Sequence, residues 1–370
     1  MKIYTLTYNC PEKDNYGQIL QCYALLKFLN NLGHDAKYLQ YTPCSWHKRT
    51  LSGNIRRAFR VLLCPIILFQ KLKEQKKQAT ITAYQKEHYR GFGEFIDKYI
   101  PQSSRRYNTI ELLKNPPDAD AFICGSDQIW ANYDPGYFLD FVPKGVKRIA
   151  YAPSNGGRET NKTGKAYIRE AIKTFSFISC REQSGVDMCS ELGRPDACVV
   201  PDPTLLLDAT VYRDLEVDAF SCSPKPYIFL YLLGSPINIE VSEILNFVKQ
   251  NGYDVKYVAS QGRIDDFSKI DATAEEWIEM IDKADYVITN SFHGTVFSLI
   301  FNKQFIALPL VGKLKATNVR LYDLLEKYSL LERICEGNLN VLFDKIDFSS
   351  FNKNVKKEKE NIKQLISELS

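Results

Sequence analysis

Several sequence signatures of well-known functional classes are missing from this chain of 370 residues. Its ten cysteines form no Cys-x-x-Cys pair and no cysteine–histidine cluster with the spacing of a zinc site. There is also no glycine-rich dinucleotide loop, no Walker phosphate loop and no HExxH zinc motif. From the sequence we therefore expect neither a metal ion nor a bound cofactor.

Long apolar runs and a strong net charge are lacking as well. No stretch reaches the roughly 18 apolar residues of a membrane-spanning helix, and the chain does not begin with a basic-then-apolar signal sequence. The net charge is only +4, which gives no support for nucleic acid as a partner. Irregularly spaced cysteines are typical of free thiols in a reducing compartment. We therefore expect a cytoplasmic protein.

The composition and the pattern of apolar residues predict a folded α/β protein. Hydrophobic residues make up 45% and charged residues 25% of the chain, as in soluble globular proteins, and the length favours two or three domains. Apolar runs alternate with segments of helical periodicity: a run from Lys2 to Tyr8, a helical pattern up to Gly33, and a second run from Ala36 to Tyr41. This βαβ order predicts parallel sheets.

A linker divides the pattern into two parts. Residues 221–226 read Ser-Cys-Ser-Pro-Lys-Pro, and the alternation of strand and helix patterns restarts at Tyr227. We predict two Rossmann-like domains, residues 1–210 and 225–335, that face each other across a cleft, and a helical tail over residues 336–370. Domain interfaces and the carboxyl ends of parallel strands are both favoured ligand sites. Within the first part, the pattern predicts one helix from Thr80 to Tyr99.

An insertion at about residues 46–78 differs from the rest of the first domain. Between Lys48 and Lys77 there are nine lysines and arginines and one acid, Glu74. The apolar run from Val61 to Phe69 is too short to span a bilayer, and Pro65 is expected to break its helix. One interpretation is a segment on an anionic membrane surface, which makes the protein peripheral at the inner face. The other is a buried helix pair with solvated basic ends.

His293 is the first candidate catalytic residue. It is one of four histidines, and it follows the apolar run Tyr286–Thr289 at the predicted start of a helix. Imidazole is well suited to moving a proton near neutral pH. The helix dipole disfavours its cationic form unless an anion lies opposite, and a bound phosphate or carboxylate would restore the acid form. The alternative is a histidine that only caps the helix.

Glycines and small polar residues follow other predicted strands of the first domain. Gly125, Ser126 and Asp127 follow one strand, and Ser154, Asn155 and Gly156 follow the next. Glycine lets backbone amides approach a ligand closely, and such turns bind anions. Ordinary βα turns use the same residues, so each turn alone has a structural explanation.

Charged residues near strand ends complete the candidate set. Arg181 follows a predicted strand directly and is suited to gripping a carboxylate or phosphate, although a salt bridge to Glu182 is an equally ordinary role. Asp127 is the preferred general base because Gly125 makes a tight turn before it. Further candidates are Asp202 and Asp208 among the acids, and Lys313, Lys315, Asn318 and Arg320 after the last strand of the second domain.

Six blocks of sequence, in order, resemble the polysaccharide pyruvyl transferase family. They are Asn15-Tyr16-Gly17 with its helix and Gly33, Gly125-Ser126-Asp127-Gln128-Ile129-Trp130, Tyr151-Ala152-Pro153-Ser154, Arg181-Glu182-Gln183-Ser184, Pro201-Asp202-Pro203-Thr204-Leu205-Leu206, and Thr289-Asn290-Ser291-Phe292-His293-Gly294. Together they cover about residues 3–330.

The resemblance implies a GT-B-type fold and a pyruvyl ketal transferase. Such an enzyme transfers an enolpyruvyl unit from phosphoenolpyruvate to a sugar, here of a polysaccharide precursor that is expected to be carried on a polyprenyl diphosphate. The family's general acid corresponds to His293, and one of its donor-binding arginines to Arg181. The remaining residues that we assign to substrate binding are Asn15, Gly17, Gly125, Ser126, Ser154, Asn155, Gly156, Asn290, Ser291, Gly294, Lys313, Lys315 and Arg320.

The chain departs from the family pattern at the histidine turn. Many members carry an arginine two residues before the histidine, where this chain has Ser291. Either another cation (Lys313, Lys315 or Arg320) grips the donor, or the donor differs. Two other functions remain open on the same frame: a sugar-nucleotide glycosyltransferase and a non-catalytic saccharide-binding protein.

Overall fold

In a computed structural model, the chain folds into two large parallel β-sheets with helices packed against them, and Tyr41–Thr42 pairs with Tyr107–Asn108 in a small third sheet. The structure describes residues 1–8, 15–44, 65–157, 160–220, 225–234, 236–260 and 262–369. The first part of the predicted basic insertion, residues 46–64, lies outside the described residues.

Twelve strands and twelve α-helices form the described part of the chain. The strands are β1 (Lys2–Leu6), β2 (Asp35–Tyr38), β3 (Tyr41–Thr42), β4 (Tyr107–Asn108), β5 (Ala121–Cys124), β6 (Lys147–Ala150), β7 (Phe177–Cys180), β8 (Cys198–Val199), β9 (Tyr227–Leu233), β10 (Asp254–Ser260), β11 (Tyr286–Thr289) and β12 (Gln304–Ala307). The helices are α1 (Tyr16–Asn31), α2 (Pro65–Glu87), α3 (Phe92–Tyr99), α4 (Thr109–Lys114), α5 (Lys162–Ile172), α6 (Gln183–Glu191), α7 (Ala209–Arg213), α8 (Val241–Gln250), α9 (Ala274–Lys283), α10 (Phe292–Ile300), α11 (Val319–Lys327) and α12 (Ser349–Leu369).

The first sheet has the strand order β2-β1-β5-β6-β7-β8, and the second has the order β10-β9-β11-β12. All neighbouring pairs in both sheets are parallel. The central strands β5 and β9 are apolar runs that are buried along nearly their whole length, as expected where helices cover both faces of a sheet. The predicted α/β class with two parallel sheets in a GT-B-type arrangement is confirmed.

The two halves share a packed interface near the start of α1. The Tyr16 hydroxyl donates a hydrogen bond of 2.6 Å to the Ala272 carbonyl, and its ring stacks on that of Trp277 with 5.2 Å between centroids. The C-terminal helix α12 returns to the first half, where Lys359 Nζ lies 2.6 Å from the Asp208 carboxylate. Residues Ser349–Leu369 of the tail thus form a helix that this ion pair ties to the first half.

One prediction about helix limits is wrong. The single helix expected from Thr80 to Tyr99 is broken between Glu87 and Phe92, where Gly91 adopts a left-handed backbone with φ of 65° and ends the helical path. Pro65 is the first residue of the described α2, where its missing N–H costs nothing. Residues 61–64 lie outside the described residues, so the helix break expected at Pro65 stays a prediction.

Candidate active site

A cavity of about 410 Å³ opens between the carboxyl ends of the two sheets. Residues after β1 and β5 line it from the first half, and residues after β9 and β11 line it from the second, as expected for parallel sheets. Its lining comprises Tyr8, Asn15, Gln18, Ile81, Gln85, Asp127, Gln128, Leu233, Gly262, Ser291, Phe292, His293 and Arg320. We call this space the front cavity.

The first turn of α10 places His293 in the front cavity. Ser291 caps this helix, because its side chain accepts a hydrogen bond of 3.2 Å from the Gly294 N–H, so the cap is not the histidine. The imidazole packs against the backbone of α1 at Gly17, where a Cβ would lie only 2.0 Å from His293 Nδ1. Gly17 is therefore required for the position of the ring.

Asp202 faces the same imidazole from the first half of the chain. Its carboxylate lies 3.5 Å from His293 Nε2, and both side chains are buried. Burial raises the pKa of the Asp202 carboxyl, but the charges of His293 and Arg181 and the hydrogen bond from the Thr204 N–H outweigh it and hold the pKa well below its usual range. An ionised carboxylate thus faces Nε2, an arrangement that orients the imidazole.

Arg181 is held in a cluster of carboxylates. Its guanidinium lies 3.0 Å from Asp202, 3.4 Å from Glu182 and 3.8 Å from Asp127. Burial lowers the pKa of Arg181, but these three carboxylates outweigh it and the pKa is raised. Arg181 lines a different space of about 600 Å³ behind Phe292. Its charge is already balanced, which agrees with the salt-bridge interpretation of this arginine.

Arg320 is the cation that lines the front cavity. Within the described part of the chain, no carboxylate lies within 4.0 Å of its guanidinium. When the Gln128 amide is oriented with its oxygen towards Arg320, that oxygen accepts hydrogen bonds of 2.9 and 3.0 Å from the two terminal nitrogens of the Arg320 guanidinium. Burial first, and the charge of Arg181 second, lower the pKa of Arg320 to about 10, so the group remains cationic at pH 7.

Phe292 lies between the two arginines. The guanidinium carbon of Arg181 is 4.6 Å from the ring centroid, and that of Arg320 is 5.8 Å away. Both contacts are of the cation–π kind, which favours a guanidinium over an aromatic face. The ring therefore contacts Arg320 without neutralising it, so the Arg320 guanidinium is available to an anion in a cavity that Asp127 and His293 also line.

The turn after β5 reaches the front cavity only through Asp127 and Gln128. Gly125 has φ of 128°, and a Cβ there would lie 1.9 Å from the Tyr151 carbonyl oxygen, so only glycine fits. The Ser126 hydroxyl donates to the Ala152 carbonyl at 3.0 Å. Of the three predicted residues of this turn, Asp127 alone lines the cavity.

Two side-chain oxygens of the turn after β6 accept hydrogen bonds from backbone groups within the turn. The Ser154 hydroxyl accepts a hydrogen bond of 2.9 Å from the Gly156 N–H, and the Asn155 side chain accepts one of 3.0 Å from the Gly157 N–H. None of these residues is among those that line the front cavity.

Of the remaining predicted residues whose side chains are described, one lines the front cavity and the others do not. Asn15 lines the front cavity and caps α1 by accepting from the Gln18 N–H at 3.2 Å. Asn290 joins two strands, since its side-chain oxygen accepts from the Leu233 N–H at 2.6 Å. Lys315 is exposed and does not line the front cavity, and the side chain of Lys313 lies outside the described residues.

Sequence reasoning missed several residues of this site. Gln128 and Phe292 belong to the quoted blocks, but nothing in their spacing indicated that they would hold Arg320. Asp202 is only a further candidate behind Asp127 in the sequence, although its block Pro201-Asp202-Pro203-Thr204 is one of the six that resemble the family. Ile81 and Gln85 come from α2, whose contact with the cavity has no local signal.

Fold and site together define a two-sheet α/β protein with a buried histidine and an unbalanced arginine in the cleft between its halves. The chain belongs to the polysaccharide pyruvyl transferase family, whose model matches residues 15–310. The protein is accordingly a transferase with a role in polysaccharide pyruvylation. The match includes His293, Asp202 and Arg181 but ends before Arg320.

Solved structures with related folds have low similarity to this chain. A UDP-GlcNAc 2-epimerase from Neisseria meningitidis is 12% identical, with 99% of this chain and 100% of that chain covered and a TM-score of 0.49. The glycosyltransferase SsfS6 from Streptomyces sp. SF2575 is 13% identical, with 99% of each chain covered and a TM-score of 0.39. A comparison with curated proteins finds no match.

Two features are absent from the described residues. No group of three or more histidine, cysteine, aspartate or glutamate side chains there is arranged to hold a metal ion. No helix in the same part of the chain combines the length and the apolarity needed to cross a membrane.

Proposed function

We propose that the protein transfers an enolpyruvyl unit from phosphoenolpyruvate to two hydroxyls of a sugar, forming a pyruvate ketal. The observation that carries the proposal is the guanidinium of Arg320, which lacks a carboxylate partner in the described residues and lines the same cavity as His293. Phosphoenolpyruvate carries a carboxylate and a phosphate, and either group is a suitable partner for this guanidinium.

His293 is the proton donor in this proposal, and Asp202 is its positioning residue. The carboxylate of Asp202 lies 3.5 Å from His293 Nε2 and orients the ring that carries the proton in this proposal. Gly17 lets the ring pack closely against α1. Because the histidine and the aspartate come from different halves, the acid is assembled only when the halves are together.

The reaction then proceeds by proton transfer and substitution. The acid protonates the methylene carbon of phosphoenolpyruvate, which leaves an oxocarbenium-like centre at the neighbouring carbon. A sugar hydroxyl attacks that carbon and loses its proton, and the C–O bond to phosphate breaks. A second hydroxyl attacks the same carbon, loses its proton and closes the ketal ring. The products are the ketal and inorganic phosphate.

Arg320 supplies the positive charge that other family members place two residues before the histidine. Ser291, which occupies that position, and Arg320 line the same cavity. Arg181 contributes less, because three carboxylates surround it. The donor's anionic groups are therefore expected next to Arg320 and Phe292, with the methylene carbon towards His293.

Calorimetric titration with phosphoenolpyruvate tests the donor assignment. Wild-type protein should bind it, and Arg320→Gln should weaken binding at least about tenfold, since a charge-assisted hydrogen bond contributes roughly 1.5–3 kcal/mol. The matched control is Arg169→Gln, which replaces an exposed arginine and should leave binding unchanged. Arg333 is buried and therefore does not serve as a control. Binding of a nucleotide sugar in place of phosphoenolpyruvate would indicate a glycosyltransferase instead.

The acceptor is proposed to be a saccharide on a lipid diphosphate, which the protein meets at an anionic membrane surface. Support comes from α2, which exposes Phe69 and Leu72, at 70% and 54% of their surface, on the same helix as the exposed Lys73 and Lys76. The other end of α2 lines the front cavity through Ile81 and Gln85. One helix thus leads from an apolar and basic surface to the site.

A further inference from the structure

A second cavity of about 370 Å³ lies where the turn after β6 meets the second half of the chain. Its lining comprises Asn155, Gly157, Thr160, Lys165, Ser184, Asp187, Met188, Glu191, Ala316 and Val319. None of these residues lines the front cavity. We call this space the seam cavity.

The seam cavity and the front cavity lie on two sides of one wall. A Cβ on Gly157 would lie 2.4 Å from the Ala316 carbonyl oxygen, and a Cβ on Gly156 would lie 2.7 Å from the Gln128 amide. Gln128 in turn holds Arg320, whose chain neighbour Val319 lines the seam cavity. The two glycines therefore close the wall tightly, and a ligand in the seam cavity lies next to the residues that hold Arg320.

Two polar donors in the seam cavity have a poor partner in the protein. The Asn155 side-chain nitrogen and the Thr160 hydroxyl each lie 3.9 Å from the Met188 sulfur. A thioether is a weak acceptor, and Asn155 is only 9% exposed. A buried donor such as the Asn155 amide normally has a strong partner, and the Thr160 hydroxyl is partly exposed, so both groups are available to the oxygen atoms of a ligand.

The charges around the seam cavity differ from those of the front cavity. Asp187 and Glu191 line it together with one cation, Lys165, and Lys165 is already paired with Glu191 at 2.7 Å. The excess is negative, which disfavours an anion but accepts hydrogen bonds from hydroxyls. Met188, Ala316 and Val319 add an apolar surface suited to the C–H face of a sugar ring.

We infer that the seam cavity binds a neutral sugar unit through Asn155 and Thr160. The role of this subsite rests on the proposed function, in which the sugar unit belongs to the acceptor saccharide. The front cavity thereby binds the anionic donor and the seam cavity binds the neutral sugar. Asn155, which the sequence predicts for substrate binding, belongs to the seam cavity.

Saturation-transfer NMR with an equimolar mixture of neutral disaccharides of glucose, galactose, mannose and N-acetylglucosamine tests the inference. At least one disaccharide should bind wild-type protein, with a dissociation constant on the order of 1 mM. Ala316→Phe fills the seam cavity and should weaken binding at least about tenfold. The matched control Ala166→Phe is an exposed position on α5 outside the cavity and should bind as wild type does.

The outcomes separate this inference from the proposed function. Absence of saturation transfer to every disaccharide, or equal binding by Ala316→Phe and Ala166→Phe, overturns the seam cavity as a sugar subsite. Thr160→Val, which removes one hydroxyl at nearly constant volume, should also weaken binding, and wild-type affinity of this variant contradicts the assigned donor. Phosphoenolpyruvate titrated into the same proteins reports on the front cavity alone, so either assignment can fail while the other stands.

Discussion

At the scale of single residues, the position of His293 depends on a glycine one helix away. Gly17 is the second residue of α1, a position where helix formation itself does not require glycine. The structure explains its presence, because a Cβ would lie 2.0 Å from His293 Nδ1. The histidine itself could be predicted from its place after a strand, but its neighbours Gly17 and Asp202 come from distant parts of the sequence and could not.

Gly17→Ala should reduce kcat at least about tenfold, since the methyl group displaces the imidazole and misplaced catalytic groups are costly. The helical control Gly93→Ala has no atom closer than 3.4 Å to its new Cβ and should keep full activity. Steady-state phosphate release and circular dichroism of both variants provide the measurement. Wild-type kcat in a folded Gly17→Ala protein would show that the ring position is not critical.

Asp202→Asn should lower the free energy of unfolding at pH 7 by about 3 kcal/mol, the usual cost of breaking a buried ion pair. The pKa of Asp202 is lowered in the folded protein, so its contribution is present above the unfolded pKa of about 3.9 and is lost as the pH falls towards the folded value. Wild type and variant should therefore converge in urea unfolding below about pH 4.

The exposed control for this series is Asp35→Asn, which should differ from wild type by no more than about 0.5 kcal/mol at every pH. A difference between wild type and Asp202→Asn that stays constant as the pH falls would mean that the carboxylate is not ionised and paired in the folded protein.

At the scale of elements, the strands were easier to predict than the helices. Apolar runs such as Tyr227–Leu233 form buried strands where the sequence indicated, since a strand covered on both faces must be apolar throughout. The helix from Thr80 to Tyr99 was predicted whole because its apolar periodicity continues through the break at Gly91. The contact of α2 with the front cavity is set by tertiary packing, which leaves no local pattern.

Ser291→Asp should leave α10 stable and weaken the binding of phosphoenolpyruvate. Aspartate caps a helix as well as serine and suits the helix dipole, so the melting temperature should change little. The new charge lies in the front cavity and should raise KM for phosphoenolpyruvate roughly tenfold or more, through a repulsion of about 1–3 kcal/mol. Ser291→Asn is the neutral control with the same cap, and equal KM values for the two variants would exclude an anionic donor beside α10.

At the scale of the whole molecule, the two sheets matter because neither half contains the complete site. His293 and Arg320 come from the second half, whereas Asp202, Asp127 and Gln128 come from the first. The two-sheet architecture could be predicted from the repeated βα pattern and the linker. The pairing across the cleft could not, because it depends on how the halves pack, and the boundaries 1–210, 225–335 and 336–370 remain predictions.

The exposed end of α2 predicts binding to anionic vesicles. Lys73→Glu with Lys76→Glu should weaken sedimentation with phosphatidylserine-containing liposomes about thirtyfold or more, since each cation near the surface contributes about 1 kcal/mol. The matched control Lys353→Glu with Lys356→Glu reverses two exposed lysines of α12 and should bind as wild type does. Equal binding of both variants, or no wild-type binding at low salt, contradicts the membrane assignment.

Transfer in deuterium oxide tests the central claim most directly. Protein, phosphoenolpyruvate and a set of lipid-linked oligosaccharides covering the common hexoses should yield inorganic phosphate and a ketal whose methyl group contains one solvent deuterium, detected by mass spectrometry. His293→Gln should lower this rate at least about 10²-fold while the protein stays folded. Absence of phosphate release with every acceptor, or a wild-type rate for His293→Gln, would contradict pyruvyl transfer with His293 as the acid.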